Sequence, residues 1–517
     1  MTKDPTSEFA SASAVAAVGT PGSPRVPQDT AFFGHPRGLA TLFFTELWER
    51  FSYYGMRALL ILFMTAAVAD GGLGFDAATA GAIYGLYTAG VYLAAMPGGW
   101  VADRLIGQRR AVLWGGIVIA LGHFSMAIPG LTTFYLGLAL IVIGTGLLKP
   151  NISTMVGELY PGDAGARRDA GFSIFYMGIN LGAFIAPLVT GYLGEKIDWH
   201  LGFGAAGVGM VLGVVQYVLG GRHLGEAGLY PNAAREEGTA TSRGSLMLAG
   251  MLGGVLVLFL VMLQAFGVVD LTTAVGLASA GGIIIVTLAL LYFGFMYVAG
   301  GLDAVEKKRL VVIAVLFVFS AIFWSGFEQA GSSLNLFAER LTDRVILGWE
   351  MPASFLQSVN SIFIITLAPV FAWLWVWLSR RRMEPSSPAK FSVGLIFLGL
   401  GFVVMVVASM RVAAGIQVSP SWLVLTYLLH TIGELCLSPV GLSTVTKLAP
   451  HRMVGQMMGV WFMSISLGNL IAGQVAGQFE TLPLPQLFGA VVATTAGAGI
   501  ILALFVRPIR RLMGGVH

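Results

Sequence analysis

The stretch ELWERFSYYGMR, residues 46–57, places ionisable side chains in the middle of a long apolar segment. With about 100° between successive residues of an α-helix, most of its polar groups fall on one face, roughly 60° wide. That face carries Glu46, Arg50, Tyr53 and Arg57, and Glu49 lies at its margin. Glu46 and Arg50 are four residues apart and can form an ion pair that protonation of the carboxylate would break. The segment therefore predicts a proton-sensitive polar face on an otherwise apolar helix.

The composition of the whole chain excludes a soluble globular enzyme. Of the 517 residues, 56% are hydrophobic and only 11% are charged, against about 25% charged in a typical soluble domain. The single cysteine, Cys436, excludes an intrachain disulfide and a thiolate metal site. We therefore expect an all-α polytopic membrane protein.

About 14 apolar segments are long enough to span a bilayer, among them the segment 310–337. Lys and Arg concentrate in alternate loops, and the loops expected outside contain only Lys196, Arg340, Arg344 and Arg411. Because basic loops stay on the cytoplasmic side, we expect a multi-pass protein of the cell membrane with both termini in the cytoplasm.

A long loop near residues 221–244 and the apolar helix pair after it leave six segments on either side. This layout is expected of a transporter built from two pseudo-repeated bundles around a central cavity. The predicted regions are a disordered cytoplasmic tail (1–38), an N-terminal six-helix bundle (39–220), a cytoplasmic loop with an inserted helix pair (221–308), a C-terminal six-helix bundle (309–506) and a cytoplasmic tail (507–517).

Charged residues also occur inside other predicted spans, at Lys149, Glu328 and Glu434. Each costs about 2.5 to 3.5 kcal/mol at a helix centre on insertion scales. An isolated buried ion pair can be purely structural. Charges on at least four helices instead favour a polar cavity with a function.

Three motifs carry a resemblance to a known family. Residues 46–55 match Glu-x-x-Glu-Arg-Phe-x-Tyr-Tyr-Gly, residues 175–182 match Phe-Tyr-x-x-Ile-Asn-x-Gly, and residues 98–110 resemble the superfamily loop between the second and third helices. The chain resembles the proton-dependent oligopeptide transporter (POT/PTR2) family of the major facilitator superfamily, from about residue 39 onward. The pair at 245–300 resembles the insertion of its bacterial 14-helix members, which implies the bacterial inner membrane.

The resemblance implies a major facilitator fold of two six-helix bundles plus an inserted two-helix hairpin. It also implies a proton-coupled symporter that imports di- and tripeptides by alternating access. The expected partners are the peptide, protons and the lipid bilayer. No cofactor, nucleic acid or obligate protein partner is expected.

The resemblance assigns roles to individual residues as well. Glu46, Glu49 and Arg50 would couple protons, Arg57 and Lys149 would hold the peptide carboxylate, and Glu434 would accept its amino group. Asn180 and Asn360 would bond to the peptide backbone. The side-chain pockets would be lined by Tyr53, Tyr54, Tyr92, Trp324 and Trp461.

The depth of the charges along their helices predicts two gates. Arg57 and Glu328 lie nearer the outer surface, and Glu434 is the nearest intramembrane acid to Lys149 on the inner side. The family is known to close its bundles alternately through salt bridges, so we expect Arg57 and Glu328 to close the outer side, Lys149 and Glu434 the inner. At most one pair should be in tight contact.

Other functions are possible on this fold. A transporter of another small organic or inorganic anion, such as nitrate, would leave Glu434 unexplained. A non-transporting peptide sensor should carry a soluble signalling domain, and neither terminus is patterned for one. No nucleophile or nucleotide-binding motif indicates an enzyme, and the His430/Glu434 pair supplies too few ligands for a metal.

Overall fold

The computed structural model describes residues 26–27, 29–161, 165–231 and 243–514. Within these ranges the chain forms fourteen long α-helices and a short one, α10. In chain order they are α1 (Arg37–Thr65), α2 (Ala77–Val101), α3 (Gln108–Met126), α4 (Leu131–Glu158), α5 (Ala166–Lys196), α6 (Trp199–Gly220), α7 (Arg243–Ala265), α8 (Ala274–Ala299), α9 (Ala304–Phe327), α10 (Ser333–Leu341), α11 (Ser358–Arg380), α12 (Ser387–Ala413), α13 (Ser421–Leu448), α14 (Val454–Ala476) and α15 (Leu484–Leu512).

The helices are long because their sequences are apolar over the thickness of a bilayer, and several begin at a polar cap. In the described residues, ten helical stretches are long and apolar enough to cross a membrane. Asp198 accepts hydrogen bonds from the first N–H groups of α6, and Asp303 with Glu306 forms a capping box on α9. Such caps satisfy N–H groups that have no partner inside the helix.

Two short strands, β1 (Val345–Ile346) and β2 (Trp349–Glu350), form a hairpin before α11.

Helices α1–α6 pack into one bundle, and α9 with α11–α15 packs into a second. The bundles meet where α2 crosses α14 and where α5 crosses α11. A Cβ on Gly81 would lie 2.4 Å from the carbonyl oxygen of Gly473, so only glycine permits this approach. The predicted all-α architecture is confirmed.

The inserted pair α7–α8 lies against both bundles. Leu263 of α7 packs in one apolar cluster with Ala280 of α8, and α8 packs against α2 and α14. The Tyr292 hydroxyl donates to the side chain of Gln456 on α14 at 3.1 Å. The insertion therefore sits across the seam between the bundles.

Three details differ from the sequence-based expectation. The segment 310–337 is not one helix, because α9 ends at Phe327 and a 3₁₀ turn, Glu328–Gly331, separates it from α10. Helix α1 begins at Arg37, inside the predicted tail 1–38, and α15 continues to Leu512, inside the predicted tail 507–517. Much of the predicted disordered tail (1–25) and part of the loop (232–242) lie outside the described residues. The domain boundaries stay predictions.

Candidate functional site

The first part of the site is an ion cluster buried on α1. Arg50 Nε lies 3.0 Å from Glu46 Oε1 and also contacts Glu49 Oε2. The exposed fractions of Glu46, Glu49 and Arg50 are 3%, 0% and 3%. Oxygens Glu46 Oε2 and Glu49 Oε1 have no hydrogen-bond partner among the described residues. Two buried carboxylates facing one guanidinium leave an excess negative charge, which a second cation or a proton must compensate.

Lys149 on α4 is the second cation near this cluster. It lies within electrostatic reach of both Glu46 and Glu49, and its Nζ sits 4.0 Å above the ring of Tyr92. Tyr92 on α2 in turn stacks on Phe462 of α14, in the other bundle. The half-buried ammonium of Lys149 thus approaches the α1 cluster from the bundle interface. A positive ligand or proton and Lys149 would compete for the same negative charge.

A second ion pair joins the two bundles. Arg57 Nη2 contacts Glu328 Oε2, and Arg57 Nε donates a hydrogen bond to the Tyr84 hydroxyl at 2.5 Å. The break after α9 positions Glu328, because that residue begins the 3₁₀ turn. Gly331 closes the turn beside this pair, where a Cβ would lie 2.0 Å from the Tyr84 hydroxyl. The gating role of Arg57 and Glu328 stays a prediction, but the contact that it requires is present.

The acid of the second bundle is held by an amide. Asn360 Nδ2 on α11 donates to Thr431 Oγ1 at 2.9 Å and to Glu434 Oε2 at 3.3 Å, both on α13. Glu434 is half-buried. In the described part of the chain no ion pair joins Glu434 to Lys149, so this conformation contains only one of the two predicted gate contacts. Asn360 orients Glu434, and its amide is already engaged by protein atoms.

The other residues predicted to bind the substrate differ in how exposed they are. Tyr54 keeps part of its surface exposed and lies with its ring 5.8 Å from the Arg57 guanidinium carbon. Trp324 and Trp461 are 8% and 4% exposed and pack among apolar side chains. Tyr53 is buried beneath the Arg50 guanidinium. The Asn180 amide donates to the Tyr176 carbonyl of its own helix. The binding roles of these residues stay predictions.

Comparison with known proteins identifies the family. The family model described as "POT family" matches residues 109–490 of this chain. The chain belongs to the POT family. It is 45% identical over 511 residues to the peptide transporter YePEPT of Yersinia enterocolitica subsp. palearctica, covering 96% of this chain and 98% of that protein. It is 38% identical over 498 residues to the di-/tripeptide transporter of Lactococcus lactis subsp. lactis, covering 95% and 99%.

Solved structures of POT family members share the fold. A mutant of the peptide transporter POT in complex with alafosfalin superposes with a TM-score of 0.85 at 45% identity, covering 95% of this chain and 98% of that one. A POT family transporter in complex with 5-aminolevulinic acid superposes with a TM-score of 0.84 at 35% identity, covering 94% and 99%. The predicted major facilitator fold of this POT family member is confirmed.

Sequence reasoning missed several partners in this POT family member. Tyr84, which binds Arg57, and Thr431, which shares Asn360 with Glu434, are ordinary polar residues in apolar helices. Asn335 Nδ2 donates to the Ala58 carbonyl at 2.8 Å and so links α10 to α1. The signal in the sequence that could have identified these partners is a polar residue inside an apolar span, because a buried polar group needs a hydrogen-bond partner.

The bundles are also joined at the end where α1 and α5 finish, which we call the sealed side. Glu195 on α5 accepts the backbone N–H groups of Ala353 and Ser354, before α11, at 2.7 and 2.9 Å. Nearby, Lys196 Nζ lies 3.0 Å from Glu350 Oε2, and its hydrogen bond lowers the pKa of the Glu350 carboxyl. Glu195 thus caps a helix start that belongs to the other bundle.

Replacing Glu195 by Ala is expected to loosen the sealed side, because two charge-assisted hydrogen bonds are lost and each contributes about 1.5–3 kcal/mol. In a Cys436→Ser background, a cysteine placed at Ser358 should react with a hydrophilic maleimide about tenfold faster in Glu195→Ala. Glu350→Gln is the matched control, because it removes the charge of an exposed carboxylate whose ion pairs with Lys196 and Arg344 are each worth at most about 1 kcal/mol. Equal labelling rates in both variants would contradict the capping role.

Proposed function

We propose that this protein is a proton-coupled symporter that imports di- and tripeptides by alternating access. The observation that carries the proposal is a separation of charge between the bundles. Lys149 and Glu434 are half-buried, opposite in sign and not paired with each other. A small peptide is a zwitterion whose carboxylate and amino group suit this pair. The names of the Yersinia and Lactococcus relatives support the same substrate class.

We assign the roles that the family resemblance implies, and the buried ion cluster on α1 supports the first of them. Glu46, Glu49 and Arg50 couple the proton, because protonating either acid removes the excess negative charge of the cluster and leaves one carboxylate paired with Arg50. Lys149 and Arg57 bind the carboxylate and Glu434 binds the amino group. Asn180 and Asn360 contact the peptide backbone, and the predicted aromatic residues line the pockets. Arg57 with Glu328 and Lys149 with Glu434 serve as alternating gates.

The direction of transport rests on the proposed topology. We place both termini in the cytoplasm and the chain in the bacterial inner membrane, with the sealed side outward. Lys196, Arg340 and Arg344 then face outside, where they pair with Glu350 and Glu480. The proposed domain limits are those of the two bundles, 39–220 and 309–506, with the insertion at 221–308.

Uptake of a labelled dipeptide into liposomes tests the function. With the lumen alkaline, the purified protein should accumulate the dipeptide, and a proton ionophore should abolish accumulation. Nitrate should neither accumulate nor compete. Nitrate uptake at a rate comparable to that of the peptide would favour the anion transporter, and binding without any movement would favour a sensor.

Blocked peptides test which end of the substrate each charge binds. Lys149→Gln is expected to weaken binding of an unmodified dipeptide about tenfold or more and to change binding of its C-terminal amide little, because the amide lacks the carboxylate charge. Glu434→Gln should discriminate in the same way between free and acetylated amino groups. Competition against the labelled dipeptide measures both effects.

Arg411→Gln is the control, since that residue stacks on Trp422 away from the site. If unmodified and blocked peptides lose affinity equally in Lys149→Gln and Glu434→Gln, these two residues have structural roles instead.

A further inference from the structure

A groove on the side of the first bundle, facing away from the second bundle, combines an apolar wall with a basic end. It has a volume of about 560 Å³ and runs between α1 and α6. Its apolar wall includes Trp48, Val215 and Leu219, and its basic end is formed by Arg37, Arg222 and His223.

The groove faces away from the site described above. On α1, Trp48 follows Glu46 by two residues, which places the two side chains about 200° apart around the helix axis. Phe44 lies on the same side of α1 as Trp48 and is 41% exposed. On α6, Val215 and Leu219 are exposed as well. In a membrane protein such a surface contacts lipid.

The basic end carries two arginine side chains without an ion-pair partner among the described residues. The side chains of Arg37 and Arg222 are exposed and form no ion pair with any residue in the described ranges. The Asp29 carboxylate accepts the backbone N–H of Arg37 at 3.0 Å and not its guanidinium. Two guanidinium groups therefore remain for an anion at the membrane surface.

We propose that this groove binds an acidic phospholipid, with its phosphate between Arg37, Arg222 and His223 and an acyl chain along Trp48. The dimensions agree with this occupant. Trp48 lies eleven positions after Arg37 on α1, which corresponds to about 16 Å at 1.5 Å per residue. That length is close to half of the roughly 30 Å hydrocarbon core, so the groove spans one leaflet.

Native mass spectrometry of the intact protein with phosphatidylglycerol or phosphatidylcholine tests the proposal. Phosphatidylglycerol should bind more tightly. Each basic residue beside an anionic lipid raises the affinity by a factor of about five, so Arg37→Gln/Arg222→Gln should lower phosphatidylglycerol binding about tenfold or more. Ala40→Trp, which fills the groove without changing charge, should lower binding of the same lipid. Arg110→Gln/Arg510→Gln, which removes exposed basic residues elsewhere, should leave it unchanged.

Three results would overturn the proposal. Equal affinity for phosphatidylglycerol and phosphatidylcholine would show that the charge of the lipid is not recognised. Equal phosphatidylglycerol binding by the groove variants and the control variant would show that the lipid does not bind in this groove. Competition by glycerol 3-phosphate as effective as that by the lipid would indicate a site for soluble phosphates. Thermal unfolding of each variant without added lipid shows whether it is folded, and Ala40→Trp tests the groove with both arginines in place.

Discussion

Glu46→Gln and Glu49→Gln are each expected to abolish uphill accumulation of peptide while leaving exchange of peptide across the membrane. Glutamine resembles a permanently protonated glutamate, so each variant lacks the excess negative charge that a proton neutralises in the cluster with Arg50. Both carboxylates contact Arg50 and are buried. The loss of one charge therefore changes the electrostatic energy more than it would in water. Liposome uptake under a pH gradient and counterflow without a gradient measure the two activities separately.

Glu384→Gln is the control for these variants, because Glu384 lies outside the spans, paired with Lys390. Lys390 also lowers the pKa of the Glu384 carboxyl through its hydrogen bond, so this carboxyl is ionised near neutral pH. The control should accumulate peptide normally. Accumulation at the wild-type level in both Glu46→Gln and Glu49→Gln would contradict the assignment of proton coupling to this cluster.

Reversing one charge of the Arg57–Glu328 pair is expected to lower transport by at least a hundredfold. Either single variant, Arg57→Glu or Glu328→Arg, would leave two like charges facing each other, and breaking a buried pair costs about 3–5 kcal/mol. The double variant restores opposite charges and should recover part of the transport. Recovery should be incomplete because a glutamate at position 57 is shorter than arginine and has no N–H group to donate to the Tyr84 hydroxyl.

Initial rates of dipeptide uptake by the wild type, the two single variants and the double variant give the coupling energy between positions 57 and 328. Arg340→Gln removes an exposed ion pair with Glu480 on the sealed side and leaves the bond from the Ala77 N–H to Glu480 in place. It should change uptake little and provides the control. A double variant no more active than either single variant would contradict a gate formed by Arg57 and Glu328.

The amino-acid sequence determined the helices and the positions of the charges along them. Hydropathy and the 3.6-residue period are local properties, so the spans and the polar face of α1 could be predicted without a structure. The ion pair between Glu46 and Arg50 was predictable for the same reason, since i and i+4 residues meet on any helix. The three family motifs identified the fold because they occur in the right order.

The tertiary structure decided which charges meet. Arg57 and Glu328 are 271 positions apart in the sequence, and Asn360 and Glu434 are 74 positions apart. No local sequence pattern indicates that residues so far apart in the chain are in contact. The break at residues 328–331 and the cap that Glu195 places on the other bundle were equally absent from the periodicity. Each of these features satisfies a buried polar group with a partner from a distant helix. The sequence shows that such a group needs a partner, and only the packing of the helices decides which residue that partner is.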